Sequence, residues 1–455
     1  MDHGIRFDSP KAMSQHLEAK PSWIQHAIWW HIYPLGFLGA PSRQEAKEIH
    51  HRLTHLIEWF DYAVELGVSG LLLGPIFSAS THGYDTVDYF QIDPRLGDYD
   101  DFIAVIQAAH ARGLRVLLDG VFNHVGSNFP RFQTALLSGT DSPESAWFRS
   151  KRSDQGSDAD ATYETFEGHE NLIALNHESL EVTAFAQEVM LHWLNAGIDG
   201  WRLDAAYAVP LSFWSHVLPE VRNQYPDAYF FGEVIHGDYA DAVNRGSLDS
   251  VTQYELWKAL WSSINDHNWF ELAWALNRHN EYLDTFVPVT FVGNHDVTRI
   301  ASQIEDVRHL EHAIVILFTV GGTPCIYYGD EQAFRGIKEH RAGGDDAIRP
   351  QFPEQGPSGL ALFGWETYRL HQQLTGLRRR NPWLHSAKTT SVQLSNTQFI
   401  YRTEAEDRRV IVVLNLDDGA MAFSDPGVTK VLLGDASMQP GGHFTIPPHR
   451  WAIFE

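Results

Sequence analysis

The sequence predicts an α/β protein built around a (β/α)8 barrel. Two observations carry this prediction: eight short apolar segments have the pattern of buried strands, and amphipathic helical segments separate them. Continuous apolar strands that alternate with helices indicate a parallel sheet covered by helices, and eight such units favour a closed barrel over an open sheet. The chain has 455 residues, which is ample for such a barrel with additional domains.

The predicted elements follow one another in the order that a barrel requires. The strands span residues 28–37, 68–77, 114–123, 198–205, 229–235, 247–254, 287–293 and 323–328. The helices span residues 44–66, 100–112, 180–196, 213–225, 239–245, 255–283, 310–320 and 365–380. Every strand is thus followed by a helix, which is the repeating unit of the barrel.

Two regions depart from this alternation. Residues 127–175 are polar, irregular and too long for an ordinary loop, so we expect a short inserted domain after the third strand. Beyond residue 382, turn residues separate short β-like segments, which predict an antiparallel β-sandwich; they span 389–394, 397–402, 410–414, 430–433 and 451–454. The predicted division is an N-terminal extension (1–22), the barrel (23–126 and 176–382), the inserted domain (127–175) and the C-terminal β-domain (383–455).

Charge and composition narrow the function classes. The formal net charge of −24 argues against nucleic acid or an anionic membrane as a partner, because both attract cationic surfaces. No segment has the length and apolar character of a membrane span, residues 1–21 lack a signal-peptide pattern, and the single cysteine gives no reason to expect an oxidising compartment. We therefore expect a cytoplasmic protein. The 15 Trp, 16 Tyr and 26 Phe fit either a large core or sugar-binding rings.

Candidate functional residues cluster at predicted strand ends, where barrels carry their active sites. Four strands end in a carboxylate, and two of these ends also carry a histidine: Asp119 with His124, Asp204, Glu233, and Asp296 with His295. One buried carboxylate is more often structural than functional. Four in matching positions, with two histidines, favour a catalytic centre.

The fourth strand ends in Arg202 and Asp204, which lie on the same face because alternate strand residues do. We expect the guanidinium to keep Asp204 ionised, as a nucleophile requires. Glycoside hydrolysis needs such a carboxylate and a second carboxyl that protonates the leaving oxygen, a role that suits Glu233. Metal-assisted hydrolysis is the alternative, but Arg202 is a poor neighbour for a metal cation.

Four segments resemble the signature regions of the alpha-amylase family, glycoside hydrolase family 13, in the order that the family requires: residues 119–124, 200–204, 232–233 and 294–296. Residues 83–89 and 322–331 add to the resemblance, which covers nearly the whole chain. It implies a retaining mechanism on α-glucosidic bonds, with Asp204 as nucleophile, Glu233 as acid and base, and Asp296 bound to the 2- and 3-hydroxyls of the sugar. It also implies supporting roles around them: His124 and His295 bind hydroxyls, Arg202 orients the nucleophile, Tyr84 stacks under the sugar ring, and Asp119 supports the site.

Three further positions have two interpretations each. Asp85 and Arg349 resemble the pair with which some relatives hold the non-reducing terminal glucose; a solvated ion pair between loops is the alternative. His236 follows the acid by three residues and either contacts an acceptor sugar or is an ordinary loop histidine.

The sequence departs from the family where many members bind structural calcium. The Lys-His pair that often follows the nucleophile is replaced by Ala206-Tyr207-Ala208, and the corresponding segment of the insertion, residues 172–176, has no Asp. Only Asn123 remains as an obvious ligand, so we predict that no metal or other cofactor is required. The short insertion further predicts a pocket for short oligosaccharides.

We expect hydrolysis of short α-glucans with α-1,4 linkages, and two other functions compete with it. A transglycosylase would use the same residues, with a sugar replacing water in the second step. A non-catalytic sugar-binding barrel is a different class, and such proteins commonly lose the nucleophile or the acid. Both residues are present here, which favours an enzyme whose partner is an oligosaccharide. The sequence makes no prediction of oligomeric state.

Overall fold

The computed structural model describes residues 21–43, 48–139, 142–151, 162–341, 343–440 and 442–455. Its central feature is a parallel barrel of eight strands: β1 (Trp29–Ile32), β2 (Gly70–Leu73), β3 (Arg115–Gly120), β4 (Gly200–Leu203), β5 (Tyr229–Gly232), β6 (Ser250–Val251), β7 (Val289–Phe291) and β8 (Thr323–Tyr327). The strands lie in the order β6-β5-β4-β3-β2-β1-β8-β7, and a parallel bridge between Thr252 and Val289 joins β6 to β7. The sheet is therefore closed, as the sequence predicts.

Helices cover the outside of the barrel. Between and after the strands, the main α-helices are Phe60–Leu66, Tyr99–Ala111, Leu180–Asn195, Leu211–Gln224, Tyr239–Gly246, Tyr254–Asn265, Trp269–Tyr282, Leu310–Thr319 and Trp365–Arg380. Their apolar faces pack on strands that are buried along almost their whole length. No described helix is long and apolar enough to cross a membrane.

The strands are shorter than the apolar segments that predict them. The predicted strand 28–37 ends at Ile32, and the helical turn Pro34–Phe37 follows. Proline explains the change, because its fixed φ suits the first position of a helix and its missing N–H interrupts a strand. Similarly, the predicted strand 247–254 is reduced to Ser250–Val251, and Tyr254 begins the next helix.

Two predicted helices also differ. The segment 255–283 forms two helices, Tyr254–Asn265 and Trp269–Tyr282, because the chain turns between them and His267 adopts a left-handed φ of 48°. Of the segment 44–66, residues 44–47 lie outside the described residues, Leu53–Trp59 is a 3₁₀ helix, and Phe60–Leu66 is an α-helix.

The insertion begins where β3 ends. The short strands His124–Gly126 and Leu172–Ala174 pair antiparallel, so both ends of the insertion meet at the carboxyl face of the barrel. The described part also contains a helix and a second two-stranded ribbon: Pro130–Ser138, and Ser150–Lys151 paired with Thr162–Tyr163. The Ser/Asp/Gly-rich residues 152–161 lie outside the described residues. The insertion thus stands beside the strand ends that carry the candidate residues.

The C-terminal region forms the predicted antiparallel sandwich. Its strands are β9 (Lys388–Leu394), β10 (Gln398–Ala405), β11 (Arg408–Asn415), β12 (Met421–Phe423), β13 (Val431–Gly434), β14 (Ser437–Gln439), β15 (His443–Ile446) and β16 (Trp451–Phe454). They form two sheets, β9-β10-β11-β16-β13 and β12-β15-β14. Side chains from both sheets share one buried core that includes Ile411, Phe423 and Phe454, which is the defining feature of a sandwich.

Candidate active site

Arg202 is the centre of the candidate site. It lies on β4 directly opposite Asp119 of β3, so the barrel register alone brings these side chains together. Its Nη1 donates to both carboxylate oxygens of Asp119 at 2.6 Å and to Oδ1 of Asp204 at 3.1 Å. Its Nη2 lies 2.9 Å from Oε1 of Glu233. One buried guanidinium therefore contacts three carboxyl groups from three adjacent strand ends.

This sharing corrects one expectation from the sequence. Burial and the neighbouring charge of Glu233 raise the pKa of Asp204 well above its ordinary value, although Arg202 opposes the shift. Arg202 therefore does not hold the pKa of Asp204 down in the free protein, because burial and the charge of Glu233 outweigh it. Asp119 also lies closer to the guanidinium than Asp204 does.

Glu233 is held by groups besides Arg202. The backbone N–H of Ala205 donates to Oε2 at 3.0 Å, and the hydroxyl of Tyr254 donates to Oε1 at 3.1 Å. Ala205 presents its N–H from a left-handed conformation with φ 46°. Asn294 in turn donates to the Tyr254 hydroxyl at 2.9 Å, which links the end of β7 to the carboxyl after β5. The position of Glu233 is thus fixed from two sides.

Asp296 has a different environment. His295 Nε2 lies 2.9 Å from its Oδ2, and Arg349 Nη2 lies 3.0 Å from its Oδ1. Burial opposes ionisation, but His295 and Arg349 outweigh it and hold the pKa of Asp296 well below its ordinary value. Its side chain keeps 33% of its surface exposed, against 9% for Asp204. Asp296 is therefore favoured in its ionised form and is more accessible than Asp204 and Glu233.

Aromatic rings line the same side of the site. Tyr84 stacks on His295 with 5.3 Å between ring centroids, and its hydroxyl contacts both His295 and, at 3.1 Å, Asp119. Tyr33 stacks on the other side of His295 at 6.2 Å and lies 4.6 Å beneath the guanidinium of Arg349. This stack gives the floor of the site an apolar face, which suits a sugar ring.

The sequence analysis missed Tyr33, His31 and Tyr254. His31 and Tyr33 lie at the end of β1, where His31 is buried against His295 with 5.0 Å between ring centroids. The sequence analysis followed only the strands that end in a carboxylate. Histidine and aromatic side chains at the ends of β1 and β6 carry the same signal and would have identified all three residues.

The proposed pair of Asp85 and Arg349 does not form among the described residues. Asp85 is buried and accepts hydrogen bonds from the backbone N–H and the hydroxyl of Thr81, at 3.1 and 2.7 Å. Arg349 instead lies 3.0 Å from both Asp296 and Asp345. The alternative of a solvated ion pair is also wrong, because both side chains are largely buried. Asp85 and Arg349 thus make no ion pair with each other, and the expectation that they hold a terminal glucose stays a prediction.

His124 and Asn123 stand at the base of the insertion. Asn123 Nδ2 donates to His124 Nδ1 at 3.1 Å, and His124 Nε2 donates to the carbonyl of Tyr84 at 3.1 Å. Burial lowers the pKa of His124 to about 3, so the ring is neutral. These bonds fix the ring beside the site.

That no metal is required stays a prediction from the sequence. The Oδ1 atom of Asn123 is buried and has no hydrogen-bond partner in the described part of the chain, and calcium requires six to eight oxygens. The described residues contain two groups of three carboxylate or imidazole ligands, and both lie elsewhere: Asp306 with His309 and His449, and His51 with Asp98 and Asp101. We derive no catalytic step from a metal.

Chelation tests this point directly. We expect kcat and KM on malto-oligosaccharides to be the same before and after exhaustive dialysis against a chelator. The reason is that side chains and backbone N–H groups of the chain already contact Asp204, Glu233 and Asp296. Added calcium serves as the control. Activity that disappears with the chelator and returns with calcium would contradict the prediction.

His236 lies on the open side of the site. It is exposed and packs against Tyr207, with 5.3 Å between ring centroids. Tyr207 follows β4, and its N–H donates to the carbonyl of Glu233 at 3.2 Å. Its hydroxyl donates to Glu167 of the insertion at 2.7 Å. In the sequence, Tyr207 stands out only as a departure from the calcium-binding pattern. In the structure, Tyr207 contacts both the candidate acid and the insertion.

Comparisons with known proteins agree with this geometry. Residues 32–390 match the family model described as the catalytic domain of alpha amylase. The maltogenic alpha-amylase of Bacillus acidopullulyticus is 30% identical over 448 residues, covering 93% of this chain and 75% of that protein. A cyclomaltodextrinase of a Bacillus species is 32% identical over 432 residues, covering 87% of this chain and 74% of that protein.

A solved structure of the debranching enzyme of Nostoc punctiforme, soaked with acarbose, matches with a TM-score of 0.78 at 25% identity, over 96% of this chain and 99% of that chain. The match extends over the barrel, the insertion and the C-terminal sandwich. Carboxyl groups from three adjacent strand ends converge on one arginine, and the chain belongs to the alpha-amylase family and is a glycoside hydrolase.

Proposed function

We propose that this enzyme hydrolyses α-1,4 bonds in short malto-oligosaccharides with retention of anomeric configuration. The observation that carries the proposal is the contact of one guanidinium with both Asp204 and Glu233. A retaining enzyme needs its two carboxyls about 5 Å apart, and contact with one guanidinium keeps Asp204 and Glu233 close to each other. The names of the relatives, maltogenic amylase and cyclomaltodextrinase, support malto-oligosaccharides as the substrate class.

In the first step, a carboxylate oxygen of Asp204 attacks the anomeric carbon. The bond to the leaving oxygen breaks, and Glu233 gives that oxygen its proton, so a covalent glycosyl ester and a free sugar result. The reaction requires Glu233 to carry a proton and Asp204 to be ionised when the substrate is bound. The bonds to Arg202 then stabilise the charge of Asp204.

In the second step, Glu233 takes a proton from water, which attacks the anomeric carbon and releases Asp204 as a carboxylate. The anomeric carbon carries partial positive charge in both transition states. Asp296 supports this charge and accepts hydrogen bonds from sugar hydroxyls, because it remains ionised between His295 and Arg349.

Product analysis tests substrate and reaction type together. Time-resolved chromatography should show short products from maltotriose and longer malto-oligosaccharides, and little reaction with isomaltose, sucrose or trehalose. Proton NMR of the first product should show the α-anomer. A first product with the β-anomer would overturn the retaining mechanism, and binding without turnover would support the non-catalytic alternative.

Glu233→Gln separates the acid from the nucleophile. We expect kcat on malto-oligosaccharides to fall by about 10²- to 10⁴-fold, because the leaving sugar oxygen is no longer protonated. α-Maltosyl fluoride needs no proton to lose fluoride, so this variant should release fluoride in a burst, followed by slow turnover. Glu255→Gln is the matched control, since it removes a distant ion pair with Arg278. Equal losses on both substrates would contradict the assignment of the acid.

The cytoplasmic location also stays a proposal. Its support is the Bacillus subtilis relative named intracellular maltogenic amylase, which is 30% identical over 346 residues, covering 70% of this chain and 57% of that protein. Activity measured in separated cytoplasm and culture medium of the source cells tests it, and activity confined to the medium would overturn it.

A further inference from the structure

Three metal-binding side chains meet at the junction between the barrel and the C-terminal sandwich. Asp306 caps the short 3₁₀ turn that ends at His309 and leads into the barrel helix Leu310–Thr319, and His449 lies on the sandwich loop between β15 and β16. Each side chain offers one ligand atom, and the three atoms lie within 4.8 Å of one another. None of the three residues lies at the carboxyl end of a barrel strand, so the group is separate from the candidate active site.

The two imidazole nitrogens of this group face each other. Nε2 of His309 lies 3.0 Å from Nδ1 of His449. His309 is 1% exposed, and the side chain of His449 is 12% exposed. Two nitrogen ligands of a tetrahedral Zn²⁺ lie about 3.3 Å apart, because each Zn–N bond is about 2.0–2.1 Å long. The two rings therefore need to separate by only a few tenths of an ångström to hold a metal ion in place of the proton between them.

A carboxylate outside the group fixes the ring of His449. Nε2 of His449 lies 2.8 Å from Oδ1 of Asp418, on the loop that follows β11. Because Nε2 donates to this carboxylate, the neutral ring has its lone pair on Nδ1, the nitrogen that faces His309. Metal-binding histidines almost always have such a partner, which fixes the ring orientation and raises the basicity of the ligand. The tautomer that a metal ion requires is therefore already selected.

The backbone holds the ligands in place on both sides of the junction. His449 follows Pro447 and Pro448 and has a left-handed φ of 57°, an uncommon conformation that the short connection between β15 and β16 imposes. Asp306 and His309 are three residues apart on a helical turn, a spacing that brings both side chains to the same side. Ligands that are already positioned lose little conformational freedom on binding, which favours affinity.

Arg308 competes with a metal ion for Asp306. Its Nε donates to both carboxylate oxygens at 3.0 Å. The Arg308 side chain is 56% exposed and that of Asp306 is 31% exposed, so this ion pair is screened by water and contributes little to stability. Rotation of Arg308 into solvent releases the carboxylate. The competition lowers the affinity for a metal ion without blocking the site.

We propose that Asp306, His309 and His449 bind a divalent transition-metal ion, best matched by Zn²⁺, which joins the barrel to the sandwich. Two imidazoles and one carboxylate suit zinc, whereas calcium and magnesium prefer oxygen ligands alone, and a water molecule completes the four-coordinate geometry. His309 and His449 are 140 residues apart in the chain, so only the folded protein brings them together and the ion stabilises the fold. The proposal goes beyond the proposed function, and turnover remains independent of this ion.

Zinc binding to the full-length, chelator-treated enzyme tests the site. Calorimetric titration with Zn²⁺ should show a single equivalent with a Kd in the micromolar range or below, and about a hundredfold excess over Kd should raise the melting temperature by about 3 °C. His309→Gln and His449→Gln should each weaken binding by about 100-fold or more and abolish the shift. Co²⁺ should give the visible absorption of a four-coordinate site in the wild type and in neither variant.

Two neighbouring positions distinguish a built site from scattered surface histidines. Asp418 is 94% exposed, so Asp418→Asn keeps the fold, and it should weaken zinc binding by about 10- to 100-fold through the ring of His449. Arg308→Gln removes the competing cation and should tighten binding by about fivefold. His51→Gln is the matched control, because His51 belongs to the other group of potential ligands in the described residues and should leave binding unchanged.

A single equivalent that depends on His309, His449 and Asp418 supports the proposal. Binding no tighter than millimolar in the wild type, binding that persists in these variants, or binding lost in His51→Gln overturns it. Melting temperatures of the metal-free variants identify any loss of fold, and if a ligand variant does not fold, Asp418→Asn decides the outcome. None of these measurements uses a sugar, so failure of the proposed function and failure of this inference are distinguishable.

Discussion

Replacement of Asp204 by asparagine is expected to lower kcat/KM by about 10⁴-fold or more, because the covalent intermediate can no longer form. The fold should persist, since an amide fills the same volume and still accepts the hydrogen bond from Arg202. Circular dichroism and thermal unfolding check the fold, and steady-state hydrolysis of maltotriose checks the activity. Turnover within tenfold of the wild type would exclude Asp204 as the nucleophile.

Chemical rescue distinguishes a lost nucleophile from a disturbed site. In Asp204→Gly, azide can enter the space left by the carboxylate and attack α-maltosyl fluoride from the same face, which yields a β-glycosyl azide. Asp199→Asn is the matched control. Asp199 directly precedes β4, at the end away from Asp204, and accepts from His110 and Arg115. This variant should lose stability without losing turnover below its melting temperature.

Acid is expected to unfold the enzyme steeply between about pH 6.5 and pH 4. Six histidines have pKa values lowered by burial to about 3 or about 4: His124, His177, His279, His309, His312 and His371. In this interval the unfolded chain takes up protons that the folded chain excludes. Stability is therefore present above the unfolded pKa and is lost as the pH falls, by up to about 1.4 kcal/mol per pH unit for each histidine.

Two buried acids act in the opposite direction. Burial raises the pKa of Asp330 to about 6 and of Glu331 to about 7, so the folded state binds their protons first and gains relative stability as the pH falls. The same holds for Asp119 and Asp204, whose pKa values burial also raises, but the buried histidines with lowered pKa values outnumber these four acids and leave a net loss in acid. Denaturant unfolding at several pH values between 7.5 and 4.5 measures the slope.

A single-site variant tests the origin of that slope. His371 donates to the carbonyl of Thr367 at 2.9 Å, and glutamine can make the same bond without titrating. His371→Gln should therefore reduce the pH dependence by about one proton. His26→Gln, at an exposed ring, is the control. A stability that stays constant down to pH 4.5 would show that the buried histidines do not govern acid unfolding.

The barrel and the convergence of the carboxyls could be predicted because their signals are local. The apolar segment before Asp204 marks a buried strand, and parallel strands all end at one face. Once Asp119, Asp204, Glu233 and Asp296 are assigned to strand ends, their proximity follows from the topology. Spacing alone also places Arg202 on the face of Asp204.

Contacts between loops could not be predicted in the same way. Arg349 lies between Asp296 and Asp345 rather than beside Asp85, since the pairing depends on how two irregular segments fold over each other. The contact of Arg202 with Asp119 could not be predicted for a different reason. Alternation along β4 predicts its contact with Asp204, but only the register between β3 and β4 reveals the closer contact with Asp119.

The narrow base of the insertion has a consequence for how such an enzyme changes over evolutionary time. The ribbon of His124–Gly126 and Leu172–Ala174 closes the insertion, and loop closure becomes only slowly more costly with length. Residues 127–171 can therefore be lengthened, shortened or exchanged without moving Asp204 or Glu233. Phe166 and Glu167 lie within this replaceable stretch. The part of the site that the insertion supplies can therefore change separately from the carboxyl groups that break the bond.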